Sequence, residues 1–278
     1  MSSRETARTP RQVFGAMLRY YRERAALSRI DLARQISKSV SLIQAIELGQ
    51  RAATAEVTED LERVLSLDGA LAQLREEIGD SLGYGAYPSW FQDWLASERE
   101  AKKLRLFGPL LVPGILQTAD YARAVFGTRF GVTDEEIDEQ VVARMKRQEI
   151  LAREEPPALW VLVDESVLRR PVGGRYVMHE QIGHLIEAAR RPHVSVQVIS
   201  SSVGAHRGLW AGGFAIADFE DAPAVGYQEA AAQGQFVDRP EDVETLADCW
   251  DTLVREALPW AASQALLEEA AKSWTSAT

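Results

Sequence analysis

Residues 27–49 read LSRIDLARQISKSVSLIQAIELG, and this stretch contains two helix starts in quick succession. Ser28 is placed to cap a helix, and Asp31, three residues on, completes a capping box. Leu32, Ala33 and Ile36 then form a buried face, with Ala33 small where a neighbouring helix passes close. Ser37-Lys38-Ser39 interrupts the pattern, and Ser39 is a second cap. Val40 to Leu48 reads as a further helix whose Ile43 and Ile46 point inward, leaving Val40, Ser41, Gln44 and Ala45 free, until Gly49 ends it. Two short helices joined by a tight polar turn allow one helix to lie in a DNA major groove while the other braces it. The competing interpretation is a helical hairpin unrelated to DNA.

Upstream, Val13, Met17, Leu18 and Tyr21 recur at helical spacing up to Ala25, with Arg19, Arg22, Glu23 and Arg24 on other faces. Residues 1–53 hold ten Lys/Arg against four Asp/Glu, whereas the rest of the 278-residue chain holds 21 against 37. A basic segment on an acidic body suggests that only the first part meets a polyanion. Downstream, Gly79 to Pro88 (GDSLGYGAYP) carries three glycines and a proline, and reads as a linker between domains 1–78 and 89–278.

The second domain begins as a helical region over 89–155. Ser89 opens a helix reaching about Arg105, and further helices are expected at Gln117 to Phe126 and at Asp134 to Arg153, the last opened by Thr133. Past Pro156-Pro157 the period changes. Leu159 to Val163, Val194 to Ile199, Phe214 to Phe219, Ala224 to Gln228 and Gln235 to Val237 are strand candidates. Helices are expected at Met178 to Ala189, Val243 to Ala257 and Ala261 to Trp274. The fold class is therefore α+β: an all-α N-terminal unit and a larger mixed α/β domain over 89–278 with a mostly antiparallel sheet.

Several classes are excluded. No apolar run approaches the roughly 18 residues of a membrane span, and no signal region follows the N-terminus, so a cytoplasmic protein is expected. A single cysteine, Cys249, forms no internal disulfide or multi-cysteine zinc site. His179 and His184 are five residues apart, so on a helix their rings diverge by about 140° and do not share a metal. There is no P-loop, nucleophile elbow or dinucleotide fingerprint, so no enzyme, cofactor or metal is expected. Asp164-Glu165 at a strand end reads as a cap for the next turn. Arg169, Arg170, Gly173 and Gly174 combine guanidinium groups with flexible backbone, which suits either a folding turn or a partner or ligand site that holds an anion.

Phe14-Gly15, Leu18-Arg19, Arg22, Leu27-Ser28, Leu32-Ala33, Ser39, Ile43, Ile46-Glu47 and Gly49 together resemble the helix-turn-helix of the XRE family of repressors. The resemblance implies a five-helix domain, closed by helices at Glu56 to Leu65 and Ala70 to Ile78. It implies that Arg29 contacts phosphate, that Val40, Ser41, Gln44 and Ala45 face base edges, and that Glu47 is structural. Gln44 can pair with adenine and Val40 can touch a thymine methyl group. Lys38, Ser39 and Arg51 complete the DNA-contacting set, although Lys38, Arg51 and Arg19 can equally be solvated charges.

Leu111 to Thr118 (LVPGILQT), Asp120-Tyr121-Ala122-Arg123-Ala124, Arg147-Gln148, Asp164-Glu165, Leu168 to Gly174 (LRRPVGG) and Gly204-Ala205-His206 resemble a large domain of uncharacterised function attached to XRE helices in actinobacteria. That resemblance implies an antitoxin-like transcriptional regulator with a small partner protein encoded nearby. The expectation is a homodimer that binds double-stranded DNA sequence-specifically and responds to a small partner or ligand. The alternative is an interaction protein that neutralises such a partner, with weak or partner-dependent DNA binding.

Overall fold

The computed structural model describes residues 10–49, 51–81, 87, 89–230 and 234–275. These form two compact units that divide between Ser97 and Glu98. Much of the expected linker, positions 82–86 and 88, lies outside the described residues.

The first unit contains α1 (Pro10–Arg24), α2 (Arg29–Gln35), α3 (Val40–Glu47), α4 (Ala55–Leu65) and α5 (Ala70–Ser81), followed by α6 (Ser89–Glu100), whose residues up to Ser97 belong to it. Both central caps form. The Ser28 hydroxyl accepts from Asp31 N in a full capping box, and Ser39 Oγ accepts from Leu42 N at 3.1 Å. The start of α5 is satisfied differently: the Glu62 carboxylate accepts from the amides of Gly69, Leu71 and Ala72, placing negative charge where the helix dipole favours it. Phe14, Leu18, Leu32, Ile43, Ile46, Val57, Leu61 and Leu71 lie in one core. Asp93 of α6 joins this unit by accepting from Arg75 Nη2 at 2.7 Å and from Ala55 N at 3.3 Å.

The second unit is built on a six-stranded sheet of order β3-β2-β1-β4-β5-β6. Its strands are β1 (Lys103–Gly108), β2 (Ala158–Asp164), β3 (Val194–Ile199), β4 (Phe214–Asp218), β5 (Val225–Gln228) and β6 (Gln235–Val237). β1, β2 and β3 run parallel, and the three pairings from β1 through β4 and β5 to β6 are antiparallel. The mostly antiparallel mixed domain is thus as anticipated.

The helical region expected over 89–155 requires correction. Its first helix ends at Glu100 instead of continuing to about Arg105, and β1 follows at the centre of the sheet. The reason is non-local: Leu104 and Leu106 are buried, with β2 on one side and β4 on the other. The same region supplies α7 (Ala119–Phe126) and α8 (Asp134–Arg147), the latter opened by a Thr133 to Glu136 capping box.

After β2 come α9 (Glu165–Arg169) and α10 (Arg175–Ala189), and after β3 comes α11 (Arg207–Ala211). The chain closes with α12 (Pro240–Glu256) and α13 (Trp260–Thr275). On one sheet face, Phe107, Leu162, Phe214 and Ile216 pack with Leu246, Trp250 and Leu253 of α12. Cys249 is buried in that layer, as a small apolar side chain would be. The outer edge of β3 is covered: Leu258 N donates to Val198 O at 2.8 Å, and Val198 N donates to Ser263 Oγ at 3.1 Å. No described helix is long and apolar enough to cross a membrane.

Candidate nucleic-acid interface

At about 100° per residue, positions 40, 41, 44 and 48 fall within one 100° sector around α3. All four are exposed, with Val40 at 39% and Leu48 at 48%. The opposite arc, Leu42, Ile43, Ala45 and Ile46, is buried. Ala45 therefore leaves the predicted set. It was expected to be free, yet it is only 5% exposed, because the inward arc is wider than the two isoleucines alone imply. Leu48 takes its place on the outer sector, and the only signal for it was the same angular arithmetic carried one turn further.

α3 is held by close backbone packing and by charge. A Cβ on Gly15 of α1 would meet the carbonyl oxygens of Ile46 and Glu47 at 2.3 and 2.6 Å, so only glycine admits this approach. Gly49 has φ +71° and ends the helix with left-handed backbone. The Glu47 carboxylate is buried although its angular position borders the open sector, because two arginines fold over it. Arg22 Nε donates to Oε1, Arg29 Nε donates to Oε2 at 2.7 Å, and Arg22 Nη1 reaches the Leu27 carbonyl at 2.8 Å. Glu47 is structural, and Arg29 is tethered at its Nε while about a third of its side chain remains exposed.

The other predicted phosphate contacts differ from one another. Lys38 Nζ lies 3.0 Å from the exposed Glu56 carboxylate. Ser39 is occupied as a cap, with its Oγ 3.0 Å from Ser41 Oγ. Arg51 requires correction: it is 7% exposed, its backbone N–H donates to Ala45 O at 3.2 Å, and it lines a partly open pocket with Arg11, Phe14 and Arg75. The chain turns inward after Gly49, which no local pattern indicated. Arg19 is exposed and pairs with Glu23 at 2.8 Å. The Ser28 hydroxyl, and then its backbone N–H, hold the Asp31 carboxyl below the usual carboxylate range.

In the second unit, the candidate anion-holding residues make the contacts of a turn and a surface ion pair. Arg169 Nη2 lies 3.3 Å from Glu165 and 3.6 Å from Glu269, and Arg170 is exposed. Gly173 and Gly174 have φ +69° and +92° and lead into α10, and a Cβ on Gly173 would press on Ala124 and Val177 at 3.0 Å. Asp164 caps α9 through Ser166 N at 2.8 Å, and its other oxygen lies 3.0 Å from Nε2 of the buried His206. Glu165 accepts from Ser200 Oγ and from Ser201 N and Oγ. Burial alone would raise the Glu165 pKa, but these bonds together with Arg169 hold it below the usual range. The acidic pair thus fastens the C-terminal end of β2 to the segments after β3. The His206 contact had no signal in the sequence, since 42 residues separate the partners.

His179 Nδ1 lies 3.2 Å from the Ala271 carbonyl, and burial, then Arg191, lowers the His184 pKa. No group of three or more potential metal ligands is present among the described residues.

Residues 13–74, from within α1 to the first half of α5, match the family model described as a helix-turn-helix domain. No curated protein and no solved structure matches the chain. Residues 91–269 match the domain of unknown function DUF5753, and because this match spans well over half of the chain, the protein belongs to the DUF5753 family and carries a helix-turn-helix domain ahead of that domain.

Proposed function

We propose that this chain is a sequence-specific DNA-binding transcription regulator of the XRE type, working in the cytoplasm as a homodimer, whose second unit responds to a small partner protein or ligand. The observation that carries the proposal is the outer sector of α3. Val40, Ser41, Gln44 and Leu48 stand exposed together on a helix that Gly15 and Glu47 fasten to its supports. Gln44 offers adenine two hydrogen bonds, while Val40 and Leu48 offer apolar contact to thymine methyl groups. A dimer would grip half-sites about one helical turn apart, and a partner that favours one spacing would shift the bound population.

Selection of genomic fragments by the full-length protein, beside the combined Val40→Ala, Ser41→Ala, Gln44→Ala variant at equal salt, tests this reading. The expected result is a discrete motif that the variant loses. If a dimer neutralises roughly six to ten phosphates, affinity falls about 10³- to 10⁵-fold between about 50 and 200 mM salt. Equal enrichment by both proteins would refute readout through α3.

A second reading has its own support. The exposed sector of α3 carries no charge, and two of its four residues are large and apolar, which also suits a protein partner. In that case the chain is an antitoxin-like interaction protein, and co-purification of a small protein without enriched DNA would favour it.

A further inference from the structure

We infer that α11 and the loop after β1 form a docking surface for an acidic, leucine-bearing protein segment, an inference that rests on the reading of the second unit as partner-responsive. The surface lies at the end of the sheet where the parallel strands β1, β2 and β3 finish, the end at which open α/β sheets bind their ligands. Leu110, just after β1, is 63% exposed, and Leu209 and Trp210 on α11 are 62% and 93% exposed. The two segments adjoin: a Cβ on Gly213 would lie 3.5 Å from Pro109 Cδ, and one on Gly208 would strike the Phe107 ring at 2.3 Å.

The exposed tryptophan stands on a fixed support. Only glycine at 208 lets α11 lie on Phe107, and His206, the residue before the helix, is buried with Nε2 3.0 Å from Asp164 at the end of β2. A support already in place leaves little ordering to be done on binding, and tryptophan is the residue type most enriched among the anchors of protein interfaces.

Charge selects the occupant. Residues 98–278 hold 19 Lys/Arg against 28 Asp/Glu, yet guanidiniums flank this surface. Arg207 opens α11 and is exposed, as is Arg170. Burial raises the Tyr121 pKa, and the Val112 N–H and the Arg170 charge oppose it, which sets Arg170 near a hydroxyl held two residues past Leu110. Neither arginine forms an ion pair among the described residues. The carboxylates at this end are engaged: Asp164 with His206 and the start of α9, Glu165 with Ser200, Ser201 and Arg169. Glu229 also adjoins Gly213, within reach of the charges of Arg144 and Arg147. Guanidiniums beside exposed leucine and tryptophan complement a segment that carries both carboxylates and apolar side chains.

Fluorescence anisotropy of a labelled peptide repeating Glu-Leu-Leu-Asp, titrated with the full chain, tests the surface. One control peptide has Lys for both acids, and the other has Ser for both leucines. The acidic peptide should bind saturably, and each control at least about tenfold more weakly. Trp210→Ala should weaken binding by about tenfold or more, and so should the combined Arg170→Gln, Arg207→Gln variant, whereas Val142→Ala, at an exposed apolar position on α8, should not. If the double variant fails to fold by circular dichroism, Trp210→Ala decides alone. No binding tighter than about 1 mM, equal binding of either control peptide, or unchanged binding by Trp210→Ala would each overturn the assignment. A dimer that Trp210→Ala dissociates in sedimentation would give the surface to a second copy and overturn it too. Fragment selection is read separately: a DNA motif without peptide binding refutes this inference alone, and peptide binding without a motif refutes only the DNA reading.

Discussion

Glu47 at the end of α3 accepts a hydrogen bond from Arg29 Nε, at the first residue of α2, over 2.7 Å, and the same carboxylate also takes Arg22 from α1. One buried anion thus sets the positions of three helices. Glu47→Ala leaves the Arg22 guanidinium buried without it, which should cost about 3–5 kcal/mol. Hydrogen exchange of α1 to α3 amides should show the loss of protection. Unchanged exchange would mean that the ion pair does not hold the unit together.

Two glycine substitutions should act in opposite directions. Gly15→Ala drives a methyl group into the backbone carbonyls of α3, and overpacking of this kind costs about 1–3 kcal/mol. Gly183 lies inside α10 with nothing within 4 Å of a built Cβ, so Gly183→Ala should stabilise by about 0.4–1 kcal/mol. Thermal denaturation of both variants beside the parent protein checks the pair.

On the proposed DNA reading, Glu56 competes with phosphate for Lys38. Glu56→Gln should therefore tighten DNA binding, and Lys38→Ala should weaken it while reducing the salt slope by about one. Fluorescence anisotropy with a selected operator across a salt series measures both. Tightening by Glu56→Gln that persists in the Lys38→Ala background would show that the effect does not pass through that lysine.

Glu165 has a folded pKa below its usual range, so it contributes stability at neutral pH that disappears as pH falls through the carboxylate range. Glu165→Gln should flatten the stability profile of the second unit below about pH 5. Urea denaturation at a series of pH values reads the slope, and parallel slopes for both proteins would refute the assignment.

Local chemistry made much of this protein legible. Ser28 with Asp31 and Ser39 with Leu42 are contacts within one turn, so the starts of α2 and α3 can be read from neighbouring residues alone. Five of the six strands stand out because runs such as Leu159 to Val163 and Val194 to Ile199 have few helical competitors. Tertiary structure decided the rest. β1 follows a helix without a breaking residue and becomes a strand because two partners lie beside it. Ala45 and Arg51 are ambiguous by residue type, and their burial depends on how the chain after α3 folds back over the first unit. Caps and periodicity act over a few residues and are written in order along the chain. Strand pairing, cavities and shared ion pairs depend on residues dozens of positions apart, and their energies exist only once the chain has folded.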